Sequence, residues 1–200
     1  RPITKSDASG NFGNMTADVI AWKYLGNPIK RIIAAVNEND VFPLFLYCDH
    51  YKRIEPSRDC LSSAMNVGNP SNMRRLFFIY DGIIDREGTV LKYPDLNSMK
   101  RDLFSLSVSD GVTRERIIDT WKNHQVAVEP HGAVALEAAM RYKSLIDPDT
   151  DIIVTETAAP WKFKDVLEEF DIGFDVPEHI KELEDKPRYT KRLPSDWRAI

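Results

Sequence analysis

Three polar turns carry the residues whose types and spacing could do chemistry. The first is "SGNFGN", Ser9 to Asn14, followed at once by the amphipathic run "MTADVIAWKYLG". A helix start leaves about four backbone N–H groups unpaired, and the helix dipole favours negative charge there. Gly10 and Gly13 let the backbone turn so that several N–H groups face one point. Asn11 and Asn14 tolerate unusual dihedrals and add side-chain donors. No lysine or arginine lies in the loop, which excludes a nucleotide loop of the Gly-Lys-Ser/Thr kind. Two readings remain: a compact phosphate monoester held mainly by dipoles, or an ordinary helix start with Asn14 as its N-cap.

The second turn, "NVGNPSN", offers Asn66, Asn69, Ser71 and Asn72 either to orient a polar substrate or to cap the helix that Pro70 begins. The third, "TETAAPWKF", places Thr155, Glu156 and Thr157 where a strand ends, and ligands of open α/β sheets gather at such ends. A hydroxyl there can hydrogen-bond a ring nitrogen without protonating it. The alternative is a β-branched residue that simply suits a strand. His131 opens a helix after "EP", as a general base, a cap or a packing residue. Cys48 and Cys60 have no supporting base and no metal-ligand spacing, so they read as reduced thiols. The histidines (His50, His124, His131, His179) form no zinc pair, and no metal is expected.

Rigid elements must position these turns. Apolar spacing predicts a helix through Val19–Leu25 that Gly26 stops, and "KRIIAAVNEND", Lys30 to Asp40, holds a buried, parallel strand. "DVFPLFLYCD" reads as a helix with Pro43 near its first turn. Met73, Leu76, Phe77 and Tyr80 mark another helical face. Helices over Asp95–Leu103 and Thr113–His124 flank "LFSLSVSDG", a candidate strand. An alanine-rich helix follows over His131–Ile146, then a strand over Ile152–Thr155 and a helix from about Lys164. From Pro177 a short helix and an extended end are expected. "RPITKSDA" contains no apolar run, so no strand is expected before the first turn, although phosphate loops normally follow one. The alternation gives an α/β, three-layer fold with a mostly parallel sheet. The stretch from about 80 to 110 is the least readable and is taken as an insertion or a small lobe.

Composition bounds the rest. The chain has 200 residues, 42% hydrophobic and 29% charged, enough for a packed domain or a large piece of a bigger one. A net charge of −4 argues against a nucleic-acid surface. No apolar run approaches the roughly 20 residues that span a bilayer, and no signal peptide is visible, so a cytoplasmic protein without a membrane partner is expected. The opening, without methionine or apolar strand, reads as the interior of a longer protein.

Taken in order, "SGNFGN", "SSAMNVGNPSN" and "ETAAPWKF" resemble the C-terminal part of threonine synthases, pyridoxal-phosphate enzymes of the tryptophan-synthase β-like, fold type II class. "KRIIAAVNENDVFPLFL" and "EPHGAVALEAA" add to the likeness. The resemblance implies that residues 1–200 are the C-terminal, cofactor-phosphate-binding part of a two-domain enzyme. It implies pyridoxal 5'-phosphate as cofactor, its phosphate cradled by Gly10, Asn11, Phe12, Gly13 and Asn14, and its pyridine nitrogen facing Thr157. The family reaction converts O-phospho-L-homoserine and water to L-threonine and phosphate in threonine biosynthesis. The Schiff-base lysine belongs to the family's N-terminal part, and no lysine here sits in its motif. No catalytic residue is therefore assigned, the polypeptide alone is expected to be inactive, and the N-terminal part is its expected partner. Apolar surface left by that part would also suit a homo-oligomer. Departures from the pattern are "TKSDA" before the first turn, Asn66 for aspartate, Gly132 for threonine, and Ala159 and Trp161 in the third turn. Two rivals stay open: a threonine-synthase-like phospho-lyase, and a non-catalytic phosphate-binding or interaction module.

Overall fold

The computed structural model describes every residue except Arg1, Asp185, Ser195, Trp197, Ala199 and Ile200. Four strands form one parallel sheet: β1 (Ile3–Ala8), β2 (Ile29–Val36), β5 (Leu103–Ser107) and β6 (Ile152–Thr155), in the order β5-β2-β1-β6. Successive side chains of β2 face opposite ways. Ile32, Ala34 and Val36 join the core under α1 (Gly13–Leu25), α2 (Val41–Cys48) and α3 (Met73–Ile79). Ile33 and Ala35 face α6 (Pro130–Leu145), which packs beside α5 (Asp110–His124). Helices on both faces of a parallel sheet make the expected three layers.

The strand that was not expected is at the centre of the sheet. β1 is polar, ITKSDA, yet Thr4, Ser6 and Asp7 are fully buried. Hydrogen bonds stand in for apolar contact at Thr4 and Ser6. Thr4 Oγ1 meets Thr150 Oγ1 at 3.0 Å, and Ser6 Oγ donates to the Ala135 carbonyl of α6 at 2.7 Å. On the opposite face Lys5 pairs with Asp18 of α1. A search for apolar periodicity cannot find a strand whose inward side chains are satisfied by specific partners.

Other boundaries shift for local reasons. α5 begins at Asp110 rather than Thr113, because the Ser109 side chain caps it by accepting from the Val112 N–H. Thr113 is buried, its hydroxyl donating to the Ser109 carbonyl. Pro70 lies in the turn before α3, which starts at Met73. The stretch 80–110 divides. Ile83–Ile84 (β3) and Val90–Lys92 (β4) form an antiparallel hairpin apart from the main sheet, whereas α4 (Leu96–Asp102) leads into β5 within it. After β6 come α7 (Lys164–Glu168) and α8 (Glu178–Glu184); the expected extended end falls partly outside the described residues. No helix among the described residues is long and apolar enough to cross a membrane.

Candidate cofactor-phosphate site

The first and third turns meet above the C-terminal ends of the parallel strands. β1 ends at Ala8, and the chain reverses through Ser9–Phe12 into α1. The residue that makes the reversal is Phe12, left-handed at φ 60° and ψ 23°, and neither glycine has a positive φ there. An aromatic residue in that region costs on the order of 1 kcal/mol. Burial of its ring opposes that cost, edge-on to Phe42 with centroids 5.0 Å apart. Gly10 serves a different need. A Cβ there would lie 2.7 Å from Met65 Cα and 2.9 Å from the Ala64 carbonyl oxygen, so only glycine lets the loop approach that backbone. At Gly13 a Cβ would meet nothing closer than Asn72 Nδ2 at 3.8 Å, and glycine is not sterically required.

No side chain caps α1. Asn14, the cap expected on the bland reading, lies inside the helix. Asn11 is held by the second turn: its Oδ1 accepts from the Ser71 N–H at 2.6 Å and from Ser71 Oγ at 3.0 Å, while Asn72 Nδ2 donates to the Asn11 carbonyl at 2.8 Å. Ser71 and Asn72 thus brace the first turn instead of capping α3, which has no side-chain cap either.

A 3-10 turn over Ser63–Met65 forms the facing wall. Buried Asn37, just past the end of β2, fixes it: Nδ2 donates to Ser62 Oγ at 3.2 Å and to Asn66 Oδ1 at 2.9 Å. Asn37 Oδ1 in turn accepts from both nitrogens of Asn39 at 3.0 Å. The other support is His131, buried at the start of α6. Its Nε2 accepts from the Ala64 N–H at 3.1 Å, which leaves Nδ1 to carry the proton donated to Glu129 Oε2 at 2.5 Å. With both ring nitrogens engaged, His131 has no lone pair for base catalysis; it holds the wall.

Gly10, Asn11, Phe12, Gly13, Asn14 and Thr157 line one cavity of about 180 Å³, with His131 at its wall. None of these residues is acidic. Thr155 and Glu156 do not join them. Thr155 remains paired with Asp7 in the sheet, and Glu156 Oε1 accepts from the Glu129 N–H at 3.3 Å. Burial, with Glu129 nearby, pushes the Glu156 carboxyl up. Glu156 also crowds Gly132, where a Cβ would come within 3.2 Å of Glu156 Cγ and 2.9 Å of Val128 Cγ1.

Asn37, Asn39 and Glu129 were not singled out in the sequence. "NEND" directly after a buried strand, and a glutamate preceding a proline at a helix start, were the available signals.

Comparison with known proteins shows what the whole chain resembles in sequence and fold. Residues 132–200 match the family described as "Threonine synthase, C-terminal". The chain is 33% identical over 200 residues to threonine synthase of Escherichia coli (strain K12), an alignment covering 99% of this chain and 42% of that protein. It is 26% identical over 215 residues to threonine synthase-like 2 of Xenopus laevis, covering 100% of this chain and 44% of that one. The crystal structure of threonine synthase from Escherichia coli superposes with a TM-score of 0.76 at 30% identity, over 98% of this chain and 42% of that chain. PLP-bound threonine synthase from Brucella melitensis shares the fold, with a TM-score of 0.81 at 22% identity over 94% of this chain and 42% of that one. The chain spans about 42% of the length of the Escherichia coli relative.

Proposed function

We propose that this chain, which is similar in sequence and fold to threonine synthases, is the C-terminal part of such an enzyme and supplies the phosphate cradle and ring-nitrogen contact of a pyridoxal-phosphate site. One observation carries the reading. An uncapped helix start, braced by Asn11, Ser71 and Asn72, opens into the same neutral cavity as Thr157. First-turn N–H groups with no side-chain acceptor suit a phosphate monoester, and the absence of an acidic lining group leaves nothing to repel it. The Gly10 approach and the strained Phe12 preorganise those donors before any ligand arrives.

Bound there, pyridoxal phosphate would supply the electron sink for amino-acid chemistry, while the protein orients and tunes it. The N–H groups of the Gly10–Asn14 loop would hold the phosphate. The Thr157 hydroxyl would donate to the ring nitrogen and, being neutral and far from acidic, would leave it without a proton. His131 moves no proton and keeps Ala64 against the loop. In a complete enzyme the reaction is the conversion of O-phospho-L-homoserine and water to L-threonine and phosphate. The Schiff-base lysine comes from the remaining part of that enzyme, so this chain alone is inactive.

The likeness to threonine synthase-like 2 supports one second reading: a phospho-lyase on the same cofactor, releasing phosphate, ammonia and a keto acid. Product analysis with O-phospho-L-homoserine on an enzyme containing both parts separates the two, and keto acid without threonine would sink the synthase. The cradle itself is tested on this chain by amide NMR. Pyridoxal phosphate should move the Gly10–Asn14 and Thr157 signals, and pyridoxal without its phosphate should bind at least about tenfold more weakly. Equal binding of the two would refute the cradle.

A further inference from the structure

The β3–β4 hairpin has no part in the site above, yet it closes a second cavity. About 370 Å³ of space lies between the hairpin and the second turn, walled by Tyr51, Asn69, Ser71, Arg74, Asp85 and Arg86 over a floor of Met73 and Ile84. Arg53, Arg58, Arg114, Arg116 and Arg141 each face a carboxylate. Arg74 and Arg86 have no ion-pair partner among the described residues, and both are exposed at the same cavity. The carboxylate in the wall is already committed. Asp85 Oδ1 accepts the Thr89 N–H at 2.7 Å, and backbone donors of the hairpin turn hold its carboxyl below the usual range. The lining is net positive.

The walls are fixed relative to one another. Asn69 bridges them, its Oδ1 accepting from the buried Tyr51 hydroxyl at 2.9 Å and its Nδ2 donating to the Arg86 carbonyl at 3.1 Å. Gly88, at φ +90°, seats the hairpin turn on the Tyr51 ring, where a Cβ would come within 3.0 Å of Cε1. Arg86 is therefore presented from a pinned backbone. We propose that this cavity binds a small oxyanion, a phosphate group or a carboxylate, between the guanidinium groups of Arg74 and Arg86. Guanidinium forks match both anions in two-pronged geometry, and the volume is that of a small-molecule site. Two exposed arginines alone would describe any basic surface. A concave, pinned, polar enclosure with both of them unpaired describes a receptor. Ser71 forms part of this wall and donates to Asn11, so the second site adjoins the first without sharing its donors. The inference stands apart from the cofactor reading.

The test is an amide NMR titration of the full chain with inorganic phosphate and, separately, acetate. Signals of Arg74 and of residues 85–88 should move saturably. Arg74→Gln and Arg86→Gln should each weaken that response by about tenfold, and the double variant should remove it, while the phosphate response of Gly10–Asn14 stays as it was. Tighter response to phosphate assigns a phosphate group; tighter response to acetate assigns a carboxylate. A silent hairpin, or one whose response survives the double variant, overturns the proposal and leaves the arginines to an acidic protein surface. Silence of Gly10–Asn14 toward phosphate and pyridoxal phosphate would instead sink the cradle reading and leave this one standing.

Discussion

Two helix starts face the same cavity and are finished in opposite ways. At α6, Glu129 is buried and closes the end itself, accepting from the His131 N–H at 2.8 Å and the Gly132 N–H at 2.7 Å, and from the His131 ring. At α1, no side chain caps the end, and the residue before it is a left-handed phenylalanine. The first end has its negative charge built in, and the second has room for one from outside. The same contrast runs through the buried carboxylates beneath them. Glu129 has three donors, whereas Asp7, under α1, has no hydrogen-bond partner on either oxygen, with Lys5 Nζ 3.9 Å away. Burial, then the neighbouring Asp18 carboxyl, raises Asp7 to about 6. A helix end that keeps its donors free is one that can recognise an anion; a helix end that satisfies them can only support.

That contrast can be broken, and the largest effect is expected at the open end. Gly10→Ala forces the loop off the Ala64–Met65 backbone, so phosphate and pyridoxal-phosphate binding should vanish and stability fall by about 2–3 kcal/mol. A variant that titrates like the parent would show that the close approach is irrelevant to the cradle. Glu129→Ala comes next. Loss of the cap and of the His131 partner, with buried donors left unmatched, should cost about 2–3 kcal/mol in denaturant unfolding.

Asp7→Asn sharpens the comparison of the carboxylates. The fold raises Asp7 from 3.8 to about 6, so it favours the protonated acid. Its contribution to stability is full below about pH 4 and is lost as pH rises through about 6. The amide variant should therefore be more stable by about 1–3 kcal/mol at pH 7 to 8, with the gap closing below pH 4. A pH-independent difference in melting temperature would contradict that sign. The smallest effect is expected for Asn14→Ala. Because Asn14 caps nothing, it should change stability by less than about 0.5 kcal/mol. A loss as large as that of a true cap would erase the distinction between the two helix starts.

Much of the fold was legible because most elements are amphipathic or apolar. The branched apolar run of β2, the alanine-rich α6 and the short apolar strand Ile152–Thr155 are all local features of the chain. β1 was not legible, since Thr4 and Ser6 are inward residues whose partners, Thr150 and Ala135, lie more than a hundred positions away. The first turn was legible as a helix start but not as to its cap. Glycine and asparagine spelled a turn, yet the left-handed residue is Phe12, held by Phe42 from another helix.

By itself the sequence determined the layer architecture, the three polar turns and their order, because periodicity, turn chemistry and strand ends are local properties. Tertiary structure alone decided which polar residues are spent on the protein and which are left for a ligand. Ser71 and Asn72 went to Asn11, His131 to Glu129 and Ala64, and the N-terminus of α1 to no side chain. The physical reason is that a donor's availability depends on what lies within hydrogen-bond reach in space, and residue type and spacing along the chain do not specify that.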